Sequence, residues 1–145
     1  MNEENGTKKS EMSGEDKRQH LIFIEDAITR MASNSFLIKG WSVAGIGALY
    51  FFWIESQNIL KLWLILTVTI LFWMHDAYYH NIERNFRAMY NKVRQQEPKN
   101  IDYSMEPGGD CSFVKTAVRP VFLISYAVVT VATALLITIN LCGGA

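Results

Sequence analysis

The sequence is poor in cysteine, proline and net charge, and it lacks the short motifs on which most enzymes depend. Cysteine occurs twice and proline three times in 145 residues, and 14 Lys and Arg residues balance 14 Asp and Glu residues. A neutral chain does not favour nucleic acid as a partner. The sequence holds no nucleophile–base pair, no phosphate-binding glycine loop and no CxxC motif. We therefore expect no enzymatic activity, no cofactor and no metal ion.

The N-terminal part lacks a long apolar segment. The first twenty residues are polar throughout and show no apolar region of the kind that a signal peptide carries. Polar, charged segments bury too little apolar surface to fold alone. We therefore expect no signal peptide and a disordered tail over residues 1–17.

The rest of the chain carries three long apolar runs, at residues 36–53, 60–74 and 121–141. The third run has 21 residues without a charge, which is long enough to cross ~30 Å of hydrocarbon. The first contains Lys39 near its start, where a lysine can extend towards water. The second is long enough only if it continues through His75 and Asp76 to Tyr79. We predict transmembrane helices at about residues 36–56 and 60–79, and a third within residues 115–145, which include a short C-terminus.

The basic residues predict the orientation of these helices. All Lys and Arg residues except Lys61 precede the first span, lie at its start or lie between the second and third spans. By the positive-inside rule, the N-terminus and the long loop are cytoplasmic and the C-terminus is outside. Cys111 and Cys142 then lie on opposite sides of the membrane and cannot pair within one chain. Cys142 is either an inert thiol or a cross-link between subunits.

Helical periodicity continues beyond the membrane on both sides of the first turn. Residues 18–35 and 80–96 each carry an apolar stripe, and the turn between their spans is too short to let the helices separate. We predict a hairpin over residues 18–96, followed by a cytoplasmic loop at 97–114 and a helix that starts near Pro120. The predicted fold class is an all-α membrane protein with three transmembrane helices and an antiparallel cytoplasmic helical extension.

The second helix has an apolar face and an opposite polar face. Its apolar face, predicted to pack against the first helix, comprises Tyr78, Ile82, Phe86, Met89 and Val93. The opposite face, here called the polar stripe, comprises Asp76, His80, Glu83, Arg87 and Arg94. We predict that this stripe is free to line a cytoplasmic vestibule or to contact a neighbouring subunit.

The acidic and histidine residues of the stripe admit two interpretations. Asp76, His80 and Glu83 have spacings that suit metal ligands, but no further ligand stands out on another helix. The second interpretation is an interfacial network, in which Asp76 pairs with His80 and Arg84, and Glu83 with Arg87. The second interpretation is favoured, because a metal site would need a third or fourth ligand from another helix. Asp76 is notable in either case, since an acid near membrane depth usually faces protein or water.

Two further patterns concern the spans themselves. Gly40, Ala44 and Ala48 form a ridge of small residues on the first span, which packs either within the chain or, as we expect, between subunits of a homo-oligomer. The third span carries three threonines, for which there are two interpretations. They could line a pore, or their hydroxyls could bond back to carbonyls of their own helix, which is the commoner arrangement. They are Thr130, Thr133 and Thr138.

Residues 20–94 resemble a group of small bacterial membrane proteins. The resemblance lies in ITRMASNSFLIKGW, in DAYY after the second span and in ERNFRAMY. Small multi-span proteins of this kind occur beside anti-phage defence genes, where they look like effectors that damage the membrane once a sensor is triggered. The resemblance implies a multi-pass protein of the bacterial inner membrane, but it assigns no functional residue.

The resulting functional hypothesis is an anti-phage effector. It would oligomerise in the lipid bilayer and permeabilise or depolarise it on a cytoplasmic signal, for example from a sensor protein. The rival hypotheses are a membrane anchor or scaffold for a soluble partner, and a subunit of a small channel or transporter.

Overall fold

A computed structural model describes residues 2–109 and 111–143, and all regular structure in these residues is helical. The helices are α1 (Asn2–Ser56), α2 (Ile59–Gln95), α3 (Phe113–Ala117) and α4 (Pro120–Gly143), with a 3₁₀ turn at Pro98–Asn100. The predicted all-α class is confirmed. Three segments are long and apolar enough to cross a membrane, at Gly14–Ser56, Ile59–Gln95 and Ile124–Cys142.

α1 is continuous from Asn2 to Ser56. This differs from the predicted disordered tail over residues 1–17. Extending an existing helix fixes only one residue for each new hydrogen bond, whereas nucleating a helix is costly. The tail also gains a contact, because Nζ of Lys17 donates to the backbone oxygens of Arg94 (3.0 Å) and Gln96 (2.7 Å) at the end of α2. These carbonyls belong to the helix end, where intrahelical partners are missing.

A two-residue connection reverses the chain between α1 and α2. Gln57 has a positive φ of 49°, and its N–H still donates to the carbonyl of Trp53 (2.7 Å), which closes the end of α1. Asn58 then caps α2, since its side chain accepts a hydrogen bond from the N–H of Leu60 (2.9 Å). So short a connection keeps α1 and α2 in contact along their length.

Apolar packing joins the parts of α1 and α2 furthest from this turn. Ile24 and Ile28 of α1 form a buried cluster with Val93 of α2, against which Phe86 and Met89 also pack. These three α2 residues belong to the apolar face predicted to meet the first helix. Tyr78 of the same predicted face is 54% exposed, so the predicted face packs against α1 at its C-terminal end but not at Tyr78.

α4 packs beside the other end of the hairpin. Ile137 of α4 lies in a buried cluster with Ile46 of α1 and with Leu62 and Ile65 of α2. α4 begins at Pro120, where the missing N–H of proline costs no helical hydrogen bond. Its start lies beside the middle of α2, and this arrangement positions the polar cluster described next.

Candidate functional site

Asp76 lies at the point where α1, α2 and α4 meet. Its side chain is fully buried. One carboxylate oxygen, Oδ1, accepts hydrogen bonds from Ser35 Oγ (2.5 Å) and Lys39 Nζ (2.7 Å) of α1. The other, Oδ2, accepts one from the Tyr126 hydroxyl of α4 (3.3 Å). Ser35, Lys39, Asp76 and Tyr126 are together called the Asp76 cluster.

Helical spacing brings the α1 members of this cluster together. Ser35 and Lys39 are four residues apart and therefore lie on one face, where Lys39 Nζ also donates to Ser35 Oγ (2.8 Å). The Nζ atom stands 5.3 Å from the centroid of the Phe122 ring, within the range of a cation–π interaction. The Lys39 side chain remains 40% exposed, in contrast to the carboxylate that it contacts.

An ion pair at such a place is selective rather than simply stabilising. Burying a carboxylate costs several kcal/mol, roughly, which is offset only by good geometry and further hydrogen bonds. Here Ser35 and Tyr126 supply those bonds from two different helices. The cluster therefore favours one register of α1, α2 and α4 over others, because a shift of either α1 or α4 would remove some of the hydrogen bonds that Asp76 accepts.

The structure corrects two expectations about the polar stripe. Asp76 does not pair with His80 and Arg84, since its partners are on α1 and α4. The stripe is also not a free face, because Asp76 is fully buried and Glu83 is 7% exposed. Neighbouring helices explain both differences: α1 brings Ser35 and Lys39 to Asp76, and α4 lies beside this part of α2, with Phe122 packed edge-on against the His80 ring at 5.2 Å.

The rest of the stripe is closer to the expected network. Glu83 accepts from Arg87 Nε (2.7 Å) and lies 3.2 Å from His80 Nδ1. Arg87 and Arg94 are exposed. Among the residues described, no group of three or more His, Cys, Asp or Glu side chains is placed to hold a metal ion.

A second polar contact, which the sequence did not indicate, holds the loop segment against α2. Thr116 of α3 is fully buried; its hydroxyl accepts from Arg84 (2.7 Å) and donates to Asn81 Oδ1 (3.0 Å). Asn85 Oδ1 accepts from the N–H of Cys111 (2.9 Å). In the sequence, this contact could have been suspected only from Asn81 and Asn85, which lie one turn apart near the polar stripe. It was not predicted, because nothing in the sequence identifies residues 111–116 as their partner.

The small-residue ridge lies on the outside of the chain. Gly40, Ala44 and Ala48 are all exposed, and a Cβ atom placed on Gly40 would have no neighbour within 4 Å. Within the described part of the chain, the ridge is therefore not buried against another helix. Its use between subunits stays a prediction.

The three threonines of α4 bond back to their own helix, the second of the two arrangements considered. The hydroxyls of Thr130, Thr133 and Thr138 donate to the carbonyls four residues earlier, at 2.7–2.8 Å. Thr133 is fully buried and lies 2.6 Å from the Tyr50 hydroxyl of α1, whereas Thr138 is exposed. The three residues therefore do not share one solvent-facing surface in the single chain.

Comparison with known proteins adds no family to this description. No family model, no curated protein and no solved structure gives a significant match to the chain. The functional proposal below therefore depends on the contacts described above and on the pattern of the sequence.

Proposed function

We propose that the protein is a multi-pass effector of the bacterial inner membrane that assembles with copies of itself and depolarises the membrane on a cytoplasmic signal. The N-terminus and the segment between α2 and α4 are cytoplasmic in this proposal, and the C-terminus is outside. The basic residues support this orientation. The role in anti-phage defence rests on the resemblance of residues 20–94 to small membrane proteins found beside defence genes.

The observation that carries the proposal is a contrast between the inside and the outside of the chain. The Asp76 cluster and the Tyr50–Thr133 pair bond polar side chains of the apolar helices to one another. By contrast, in each candidate span no more than 22% of the apolar segment of 18 residues is buried inside the protein. Because these polar groups are bonded to one another, we place the permeation path between several copies.

The exposed ridge of Gly40, Ala44 and Ala48 is the surface through which copies would associate. Small residues let backbones approach closely, and such approach stabilises helix pairs in lipid through packing. The Asp76 cluster would hold each copy in the arrangement that assembles, since its bonds tie together all three long helices. Loss of the cluster would therefore impair assembly and membrane activity.

Induced expression in bacterial cells, to membrane levels at which mass action favours assembly without the signal, tests this proposal. A voltage-sensitive dye should report depolarisation with the wild type and a much smaller response with Ala44→Leu. The matched control is Ala134→Leu, the same substitution at an exposed alanine on α4, which should behave as the wild type at equal membrane levels. Unchanged membrane potential with the wild type, or equal responses from the two variants, would refute the proposal.

A membrane anchor for a soluble partner is the second candidate function, and one observation favours it. Residues 18–35 extend α1 by about 27 Å at 1.5 Å per residue, and a groove of about 390 Å³ lies between this part and α2. Its walls mix charged, amide and apolar groups, from Glu25, Ile28, Thr29, Arg87, Tyr90 and Asn91. Co-purification of a soluble protein, lost with Thr29→Trp and without any ion flux, would favour the anchor over the effector.

A further inference from the structure

A groove of about 450 Å³ lies between α1 and α4, next to the Asp76 cluster. Most of its wall is apolar and includes Val43, Ile46, Gly47 and Val129. A volume of this size is in the range of ligand-binding pockets, which combine apolar walls with a few placed polar groups. The groove is therefore large enough for a flexible apolar chain.

The polar groups of the groove are concentrated near one end. Lys39, Ser42 and Tyr126 line it there. An ammonium group has three N–H donors, and Ser35 and Asp76 account for two of those of Lys39. Because the Lys39 side chain is 40% exposed, a further acceptor can approach its Nζ atom. Towards the other end, Tyr50 lines the groove, and its hydroxyl is bonded to Thr133.

Gly47 leaves space in the apolar wall. A Cβ atom built on Gly47 would have no neighbour within 4 Å, whereas one on Gly45 would lie 3.8 Å from the Phe72 ring. A larger side chain at Gly47 would therefore extend into open space that the groove includes, without displacing another helix.

We propose that this groove binds one glycerophospholipid, with the phosphate at Lys39 and an acyl chain along Val43, Ile46, Gly47 and Val129. The inference rests on the proposed membrane location of α1 and α4. A positively charged donor at one end of an apolar groove is complementary to a phosphate ester that carries a hydrocarbon chain. Asp76 offsets much of the Lys39 charge, so the chain contributes most of the affinity and the ammonium orients the headgroup.

Phospholipid retained by the detergent-purified full chain tests the site. Native mass spectrometry of the wild type should show one bound phospholipid per chain, with phosphatidylglycerol as the added probe. Gly47→Leu should lower the retained fraction at least about tenfold, a change equivalent to about 1.4 kcal/mol, because leucine occupies the space of the acyl chain. Ala134→Leu is the control at an exposed position outside the ridge; it should keep the lipid, since Ala134 does not line the groove.

The variant Lys39→Met/Asp76→Leu tests the headgroup contact separately. It removes the ammonium together with its buried partner, so that no unpaired charge remains. It should retain less phospholipid than the wild type but more than Gly47→Leu. Inorganic phosphate alone should not displace the bound lipid.

Three results would overturn the proposal. They are equal retention by Gly47→Leu and the wild type, displacement by inorganic phosphate, and loss of self-association rather than of lipid in Gly47→Leu, which would assign the groove to a second copy. The lipid count requires no membrane activity. A protein that binds lipid without depolarising cells would therefore refute the effector function alone.

Discussion

Removing Lys39 and removing Asp76 should lower the free energy of unfolding by different amounts, because only the Asp76 side chain of this ion pair is fully buried. Lys39→Met leaves the carboxylate of Asp76, which is fully buried, without an opposite charge. Removing one partner of a buried pair typically costs ~3–5 kcal/mol, since the charge left behind is uncompensated. We expect a loss of unfolding free energy in this range, because the hydrogen bonds from Ser35 and Tyr126 alone do not neutralise the carboxylate.

Asp76→Leu should lower the free energy of unfolding by less than Lys39→Met does. It leaves the ammonium of Lys39, whose side chain is 40% exposed and flexible enough to reach water. The remaining loss is that of hydrogen bonds to a charged group, about 1.5–3 kcal/mol. The double variant Lys39→Met/Asp76→Leu replaces the pair by apolar groups, which is often nearly neutral. It should therefore be more stable than Lys39→Met alone.

Unfolding by sodium dodecyl sulfate in mixed micelles, followed by tryptophan fluorescence and helical circular dichroism, measures these differences. Lys99→Met is the control, since Lys99 is exposed outside the three candidate spans and should shift stability by less than about 0.5 kcal/mol. The reasoning fails if Asp76→Leu is the more destabilised single variant. It also fails if the double variant is less stable than Lys39→Met.

Four further outcomes are expected. A reporter inserted at Gly108 should read as cytoplasmic and one fused after the last residue as periplasmic; the same side for both would contradict three spans. In native-detergent mass measurements the wild type should be oligomeric and Ala44→Leu shifted towards monomer, so a monomeric wild type would contradict the ridge. Thr133→Val should lower unfolding free energy by about 1 kcal/mol through loss of its tyrosine partner, and an unchanged unfolding midpoint would contradict this. At equal membrane levels Asp76→Ala should reduce depolarisation more than Arg94→Ala, whose exposed side chain contributes ~0–1 kcal/mol to ion pairing; equal effects would leave the Asp76 cluster without a role in activity.

Local features of this protein could be predicted from the sequence. The number and type of the long helices follow from run length and hydropathy, and α4 begins at Pro120 as its missing N–H requires. The back-bonding of Thr130 and Thr138 is equally local, since each hydroxyl reaches a carbonyl of its own helix. The helical state of residues 2–17 was not predicted, because they extend the helix that follows them and because Lys17 contacts the end of α2, 77 and 79 positions away.

The sequence by itself determined which residues of α2 share a face, but only the tertiary structure decided what covers each face. A period of 3.6 residues relates Asp76 to Glu83 without reference to any neighbour. It contains no information about α4, which lies along this side and brings Tyr126 to the carboxylate. Lys39 was interpreted as reaching for water at the start of a span. Its side chain is 40% exposed, but it also contacts Asp76, because the two-residue turn at Gln57 and Asn58 sets the register of α1 against α2. Burial and pairing of charge depend on such distant contacts, and a one-dimensional pattern does not specify them.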